Sequence, residues 1–142
     1  MSRLDHRAIR RSEDAFVDVL FDCVPEFGAP LICAHFPRAF VDANREAYEL
    51  DPAMFESPLP EWVNTKSPRV QAGLGTVARI VAGGAEIYRD QLEFDEVRNR
   101  VEDFYKPYHN ALRGLIDEAV QMFGHCLLID CHSMPSMVLS NN

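Results

Sequence analysis

The 142-residue chain contains no apolar run approaching the roughly 20 residues that a membrane-spanning helix requires. Its first residues, Met1-Ser2-Arg3-Leu4-Asp5, lack the apolar stretch of a secretory signal. There is no Cys-x-x-Cys pair: Cys23, Cys33, Cys126 and Cys131 are too dispersed for a zinc knuckle or a disulfide framework. Together these absences predict a cytoplasmic protein with buried free thiols and no membrane partner. Basic residues are also in deficit, 14 against 22 acidic ones, for a formal charge of −8. Without a basic stripe, nucleic acid is excluded as an expected partner. Internal repeats, low-complexity tracts and linkers are missing as well. Gly73-Leu74-Gly75 is too short for a phosphate loop, and no long helix follows it directly. What remains is a chain that is 47% hydrophobic, enough for one domain with a real core.

The chemistry gathers in one late stretch. Leu127-Leu128-Ile129 reads as a short strand buried on both faces, and Asp130-Cys131-His132-Ser133 follows it directly. In open α/β sheets, sites form just beyond the carboxyl ends of strands. A neutral His132 there suits a divalent metal, with Asp130 placed to orient the ring or share its proton. A polar turn with a hydrogen-bonded histidine accounts for the same residues equally well. A thiol nucleophile at Cys131 is the weaker idea, because adjacent strand residues face opposite ways and His132 would point away from it.

Upstream, Ser12 is placed to cap a helix running through Phe16, Val19, Leu20 and Cys23. Glu13 and Asp14 sit in its first turn, where carboxylates suit the helix dipole whether or not they have another role. Leu31–Phe36 is a second expected strand. After Phe40-Val41 comes the polar cluster Asp42-Ala43-Asn44-Arg45-Glu46. There Arg45 has the geometry to clamp a carboxylate with help from Asn44, or else to pair with Asp42 on the surface. Residues 51–72 are rich in proline and predict a long loop, with Trp62 as a packing anchor. Val77–Val81 and Ala85–Tyr88 predict two short strands around Gly83-Gly84, with Arg79 an unusual charge in an apolar stretch. From Phe94 to Met122 apolar residues recur at helical spacing, with Pro107 expected to kink or split the helix and Gly124 to end it. His109 reads as a surface or core-edge histidine. A long helix feeding the 127–131 strand predicts an α/β crossover.

Taken in order, Arg11-Ser12-Glu13-Asp14-Ala15-Phe16, Phe40-Val41-Asp42-Ala43-Asn44-Arg45-Glu46, Gly73-Leu74-Gly75, Arg79, Tyr105-Lys106-Pro107-Tyr108-His109 and Leu128-Ile129-Asp130-Cys131-His132-Ser133-Met134-Pro135-Ser136 resemble the N-formylglutamate amidohydrolase family. The resemblance implies an α/β fold, a central mixed sheet flanked by helices. That fold is zinc-carboxypeptidase-like (phosphorylase/hydrolase-like) and related to the aspartoacylases. It also implies zinc-dependent hydrolysis of a small acidic N-acyl amino acid, N-formyl-L-glutamate, to formate and glutamate. His132 and Asp14 would be zinc ligands, with Glu13 the less favoured carboxylate, and Asn44 and Arg45 would grip a substrate carboxylate. Arg79 and His109 fall within matching motifs without a defined role.

Two family features are missing from the sequence: an early Pro-His-Ser-Gly-like element supplying another zinc histidine, and a later glutamate acting as general base. Catalytic zinc takes three protein ligands and an open position, and the attacking water needs a base. The expectation is therefore a single, partial amidohydrolase domain over 1–142, inactive alone and open to self-association through unpaired sheet edges. The alternative is a non-catalytic shortened member that binds a small ligand or a partner.

Overall fold

The structure is a computed structural model, in which residues 2–134 are described. The Pro135-Ser136 end of the site motif, and Met137 onward, lie outside the described residues. The chain divides into two compact units: Met1–Glu13 with Ala34–Asn110, and Asp14–Cys33 with Ala111–Asn142.

The expected central mixed sheet is not found. Among the described residues there is no β-strand, only four isolated bridges: Ser2 with Tyr88, Glu49 with Asn64, Phe55 with Leu92 and Ile80 with Glu86. The described residues are helical and irregular, so the α/β fold with a carboxypeptidase-like central sheet expected from the sequence does not hold for them. The reason is visible residue by residue. A strand exists only through ladder hydrogen bonds to a neighbour. Leu127, Leu128 and Ile129 are 82%, 56% and 70% exposed instead of buried on two faces. Leu31–Phe36 likewise has no regular secondary structure. At Gly83-Gly84 the chain does reverse, with positive φ at both glycines and Val81 N–H donating to the Ala85 carbonyl at 3.0 Å. Pairing there stops after one bridge.

The first unit holds the core. Leu50, Met54, Phe55, Val63, Val77, Leu92 and Val97 form its main cluster, flanked by Tyr48, Leu59, Tyr88 and Phe94. Ala39, Val81 and Ile87 form a smaller one. The proline-rich 51–72 segment therefore supplies core side chains. It is pinned by a 3-10 turn at Pro52–Met54, capped by Asp51, and by a short helix, Pro68–Gln71, capped by Ser67. Trp62 lies at the rim, its ring edge-on to Tyr48 with centroids 4.8 Å apart. Gly75 is where two backbones meet: a Cβ there would lie 2.1 Å from the Glu49 carbonyl oxygen. That close approach lets Thr76 N–H reach the Glu49 carbonyl, and the Thr76 carbonyl accept from Asp42 N–H at 2.7 Å.

The helix from Phe94 forms as the periodicity predicts. It comprises α1 (Phe94–Arg100), a π-turn (Val101–Tyr105) and α2 (Lys106–Phe123). Asp95 and Glu96 occupy its first turn. Gly124, at φ 77°, closes it with an N–H to the Val120 carbonyl. Pro107 has no N–H, and its ring crowds the carbonyl four residues back. The wider π-turn ending at Tyr105 absorbs that mismatch without breaking the rod. Arg100 anchors this helix from inside. Its Nη1 donates to the Phe40 carbonyl at 3.1 Å and to Tyr88 Oη at 2.8 Å, and its guanidinium stacks 4.5 Å above the Phe40 ring.

In the second unit the predicted helix from Ser12 is reduced to Val17–Leu20. Phe16 takes a left-handed conformation, φ 65°, which a helix cannot contain. One isolated turn gains little without a packed face, and Phe16, Val19 and Leu20 are all more than 60% exposed. Ser12 does not cap that helix; its Oγ accepts from Ala82 N–H within the first unit.

Candidate functional site

Each unit carries one group of the residues singled out above. In the second unit, Asp14 and His132 meet across 118 positions, with His132 Nδ1 3.2 Å from Asp14 Oδ2. Asp14 Oδ1 accepts from the Ser133 backbone N–H at 3.0 Å, so one carboxylate holds two consecutive residues of the 125–134 segment. Asp130 Oδ2 takes the opposite ring nitrogen, Nε2, at 3.0 Å. Glu13, the other acidic candidate, belongs to the first unit, where it pairs with Arg10 at 2.7 Å. Cys131 Sγ faces the Ile129 carbonyl at 3.9 Å.

A neutral imidazole has only one N–H, so it cannot donate to both carboxylates. The imidazolium can, and the hydrogen bonds it donates to Asp130 and then Asp14 raise the His132 pKa above its ordinary value, opposed by burial. The same position between Nδ1 and Oδ2 is compatible with a cation in place of the proton. Ligands about 2.0 to 2.1 Å from a tetrahedral zinc stand roughly 3.3 Å apart, which is close to the observed separation. Asp130 on the far nitrogen then resembles the carboxylate partner that ligating histidines usually have. No group of three or more such donors occurs among the described residues. The residues thus fit two corners of a zinc site.

In the first unit, Asn44 and Arg45 lie on a loop with no regular structure, but the loop is tightly held. Asp42 Oδ1 accepts from Asn44 N–H at 2.9 Å, and Asp42 Oδ2 takes Arg38 Nε at 2.9 Å and Arg45 Nη2 at 3.6 Å. Arg45 Nε donates to the Leu74 carbonyl at 3.2 Å, and Nη1 to the Asn44 carbonyl at 2.6 Å. Of the two readings of Arg45, the pairing with Asp42 has a counterpart in the structure. Arg45 lies near Asp42, yet that carboxylate is engaged more closely by Arg38. Arg79 is spoken for by Asp51 at 2.8 Å and more loosely by Glu86 at 3.8 Å. His109 Nε2 lies 2.9 Å from the Ala43 carbonyl, and Tyr105 Oη donates to the Arg45 carbonyl at 2.6 Å. Tyr105 and Arg38 were not among the residues singled out as site candidates. The four-residue spacing of Tyr105 and His109 on one helix was the available signal for the first.

With this geometry in hand, comparison with known proteins identifies a class. The family model for N-formylglutamate amidohydrolase matches residues 1–142, and the chain belongs to that family. It is 25% identical over 127 residues to an N-formylglutamate deformylase of Pseudomonas putida and 26% identical over 127 residues to one of Pseudomonas aeruginosa. Each match covers 88% of this chain and 42% of the relative. A crystal structure of N-formylglutamate amidohydrolase from Ralstonia eutropha superposes with a TM-score of 0.88 at 34% identity, over 96% of this chain and 49% of that one. The chain thus spans about half the length, or less, of the relatives it matches. No helix among the described residues is long and apolar enough to cross a membrane.

Proposed function

We propose that this chain carries part of the machinery for hydrolysing N-formyl-L-glutamate to formate and glutamate, and that alone it does not turn the substrate over. The observation that carries the reading is the meeting of His132 Nδ1 and Asp14 Oδ2 at 3.2 Å. In this reading those two atoms hold zinc, and Asp130 fixes the ring through Nε2. When bound, zinc supplies Lewis-acid polarisation of the formyl carbonyl and activation of water.

Arg45 binds the substrate. Of the five N–H groups of a guanidinium, its Nε–H and one on Nη1 are committed to the Leu74 and Asn44 carbonyls. The remaining donors on Nη1 and Nη2, the latter also 3.6 Å from Asp42 Oδ2, form a fork suited to one glutamate carboxylate. Asn44 supports that carboxylate from the same loop. Two donors fall short of the three protein ligands of a catalytic zinc, and no base is assigned among the described residues.

The test is formate release from N-formyl-L-glutamate by the purified chain with stoichiometric zinc, beside His132→Ala. The expected result is background turnover in both, with zinc binding lost only in the variant. Turnover in the first that vanishes in the second would show that this chain holds a complete site and would overturn the proposed inactivity. Equal zinc binding by both proteins would remove His132 from the metal site.

A further inference from the structure

The loop that carries Asn44 and Arg45 has no ladder bonds to hold it, yet three successive carbonyls in it are each held by a side chain. The Ala43 carbonyl lies 2.9 Å from His109 Nε2. The Asn44 carbonyl accepts from Arg45 itself at 2.6 Å, and the Arg45 carbonyl accepts from Tyr105 Oη at 2.6 Å. A carbonyl only accepts, so His109 must present its Nε2 proton here whatever the state of Nδ1. The two rings are in contact, tilted by 37° with centroids 4.2 Å apart, so each braces the other. Both come from the same stretch of helix, and Tyr105 is the last residue of the π-turn.

The π-turn contributes directly. On a regular α-helix a step of four residues overshoots one turn by about 40°, so Val97, Val101, Tyr105 and His109 would drift around the axis. A turn closed by i→i+5 bonds holds an extra residue and cancels part of that drift. Val97 and Val101 are fully buried in the core, and Tyr105 comes off the same rod onto the 43–45 loop.

We infer that Tyr105 and His109 are positioning residues that fix the Arg45 guanidinium for an incoming carboxylate by clamping the backbone on either side of Asn44. This rests on the reading of Arg45 as the carboxylate clamp. Neither side chain needs to touch the ligand. Each acts by denying the loop alternative conformations, so that the fork on Arg45 is already aimed when a carboxylate arrives.

The experiment uses the 142-residue chain and two readouts. The first needs no ligand: the Arg45 Nε–H signal in nitrogen-15 NMR, assigned by its loss in Arg45→Lys. Bonded to the Leu74 carbonyl, it should be resolved and slow to exchange in the wild type. In Tyr105→Phe, which removes only the hydroxyl, and in His109→Ala it should shift and exchange faster. His109→Gln, which can return an N–H to the Nε2 position, should restore it. The second readout is affinity for N-formyl-L-glutamate by titration calorimetry. It should fall roughly fivefold to tenfold in Tyr105→Phe and His109→Ala, as for loss of one hydrogen bond, and recover in His109→Gln.

An unchanged Arg45 signal in folded Tyr105→Phe and His109→Ala overturns the inference, even if both melt at lower temperature. A perturbed Arg45 signal with no wild-type binding of the probe, or with binding intact in Arg45→Ala, sinks the carboxylate reading and leaves the positioning of Arg45 standing.

Discussion

The two units of this chain are built in opposite ways. Every buried hydrophobic residue among the described ones, from Ala39 to Val101, belongs to the first unit. Twelve of the fifteen exposed large hydrophobics, including Phe16, Phe27, Phe123 and Leu127 to Ile129, belong to the second. The candidate residues divide the same way: the Asn44–Arg45 loop is tied to a core, whereas the Asp14–His132 pair stands on exposed segments. The half that holds Asn44 and Arg45 can therefore be rigid because packing and helix contacts hold it. The half that holds Asp14 and His132 depends on a few polar contacts.

Hydrogen exchange should sharpen this contrast most. Amides of Leu50, Val77 and Val101 should exchange only through global opening, while those of 125–134 should exchange at least about a thousandfold faster. Comparable protection in the two would mean that the second unit is held by more than the contacts described. Next in size is Arg100→Ala, which leaves the Phe40 carbonyl and the Tyr88 hydroxyl without their shared donor in a buried place. Stability of the first unit in urea should drop by about 3 kcal/mol. The separation of Asp14 and His132 amide shifts should be unaffected.

Asp130→Asn probes the other half. Zinc affinity, read by competition with a chromophoric chelator, should fall by about 10- to 100-fold, with the melting of the first unit unchanged. An affinity equal to the wild type would dismiss Asp130 as the group that orients His132.

The smallest effect concerns alkaline pH. Burial pushes the Tyr88 hydroxyl above the ordinary tyrosine range, against the lowering effect of Arg100. Tyr105 is raised by burial first, then by Glu46 and Asp42. Groups whose folded pKa is raised stabilise fully below the unfolded value, near 10, and that contribution disappears as pH rises through the folded value. Spectrophotometric titration should therefore show tyrosines ionising late in the folded chain, and Tyr88→Phe should remove a late component. Ionisation of all the tyrosines near 10 without unfolding would mean that Tyr88 is not buried in solution.

Much of the helical framework could be read in advance, because its determinants are local. The apolar spacing from Phe94, the acidic first turn and Gly124 at the end all act within a few residues, and the helix formed over the predicted range. Pro107 signalled a disturbance, though not that a π-turn would take it up. The helix expected from Ser12 shrinks to Val17–Leu20 because its apolar side chains stay exposed. Glu13 and Asp14 are chemically equivalent at the level of pattern. Only the folded chain turned one toward Arg10 and the other toward His132.

The sheet is where pattern and structure part. Leu31–Phe36 and Leu127–Cys131 have strand-like composition, yet composition states only what a segment would do beside a hydrogen-bonding neighbour. Helical bonds join residues four apart, so one stretch of sequence contains both donor and acceptor. Ladder bonds need a second stretch brought alongside, and whether one arrives is a matter for the tertiary fold. The same holds for function. The types of residue that bind carboxylates or metals can be listed from the chain. The clamp of Tyr105 and His109 around Asn44, and the bridge from Asp14 to His132 and Ser133, come into being only when distant segments meet.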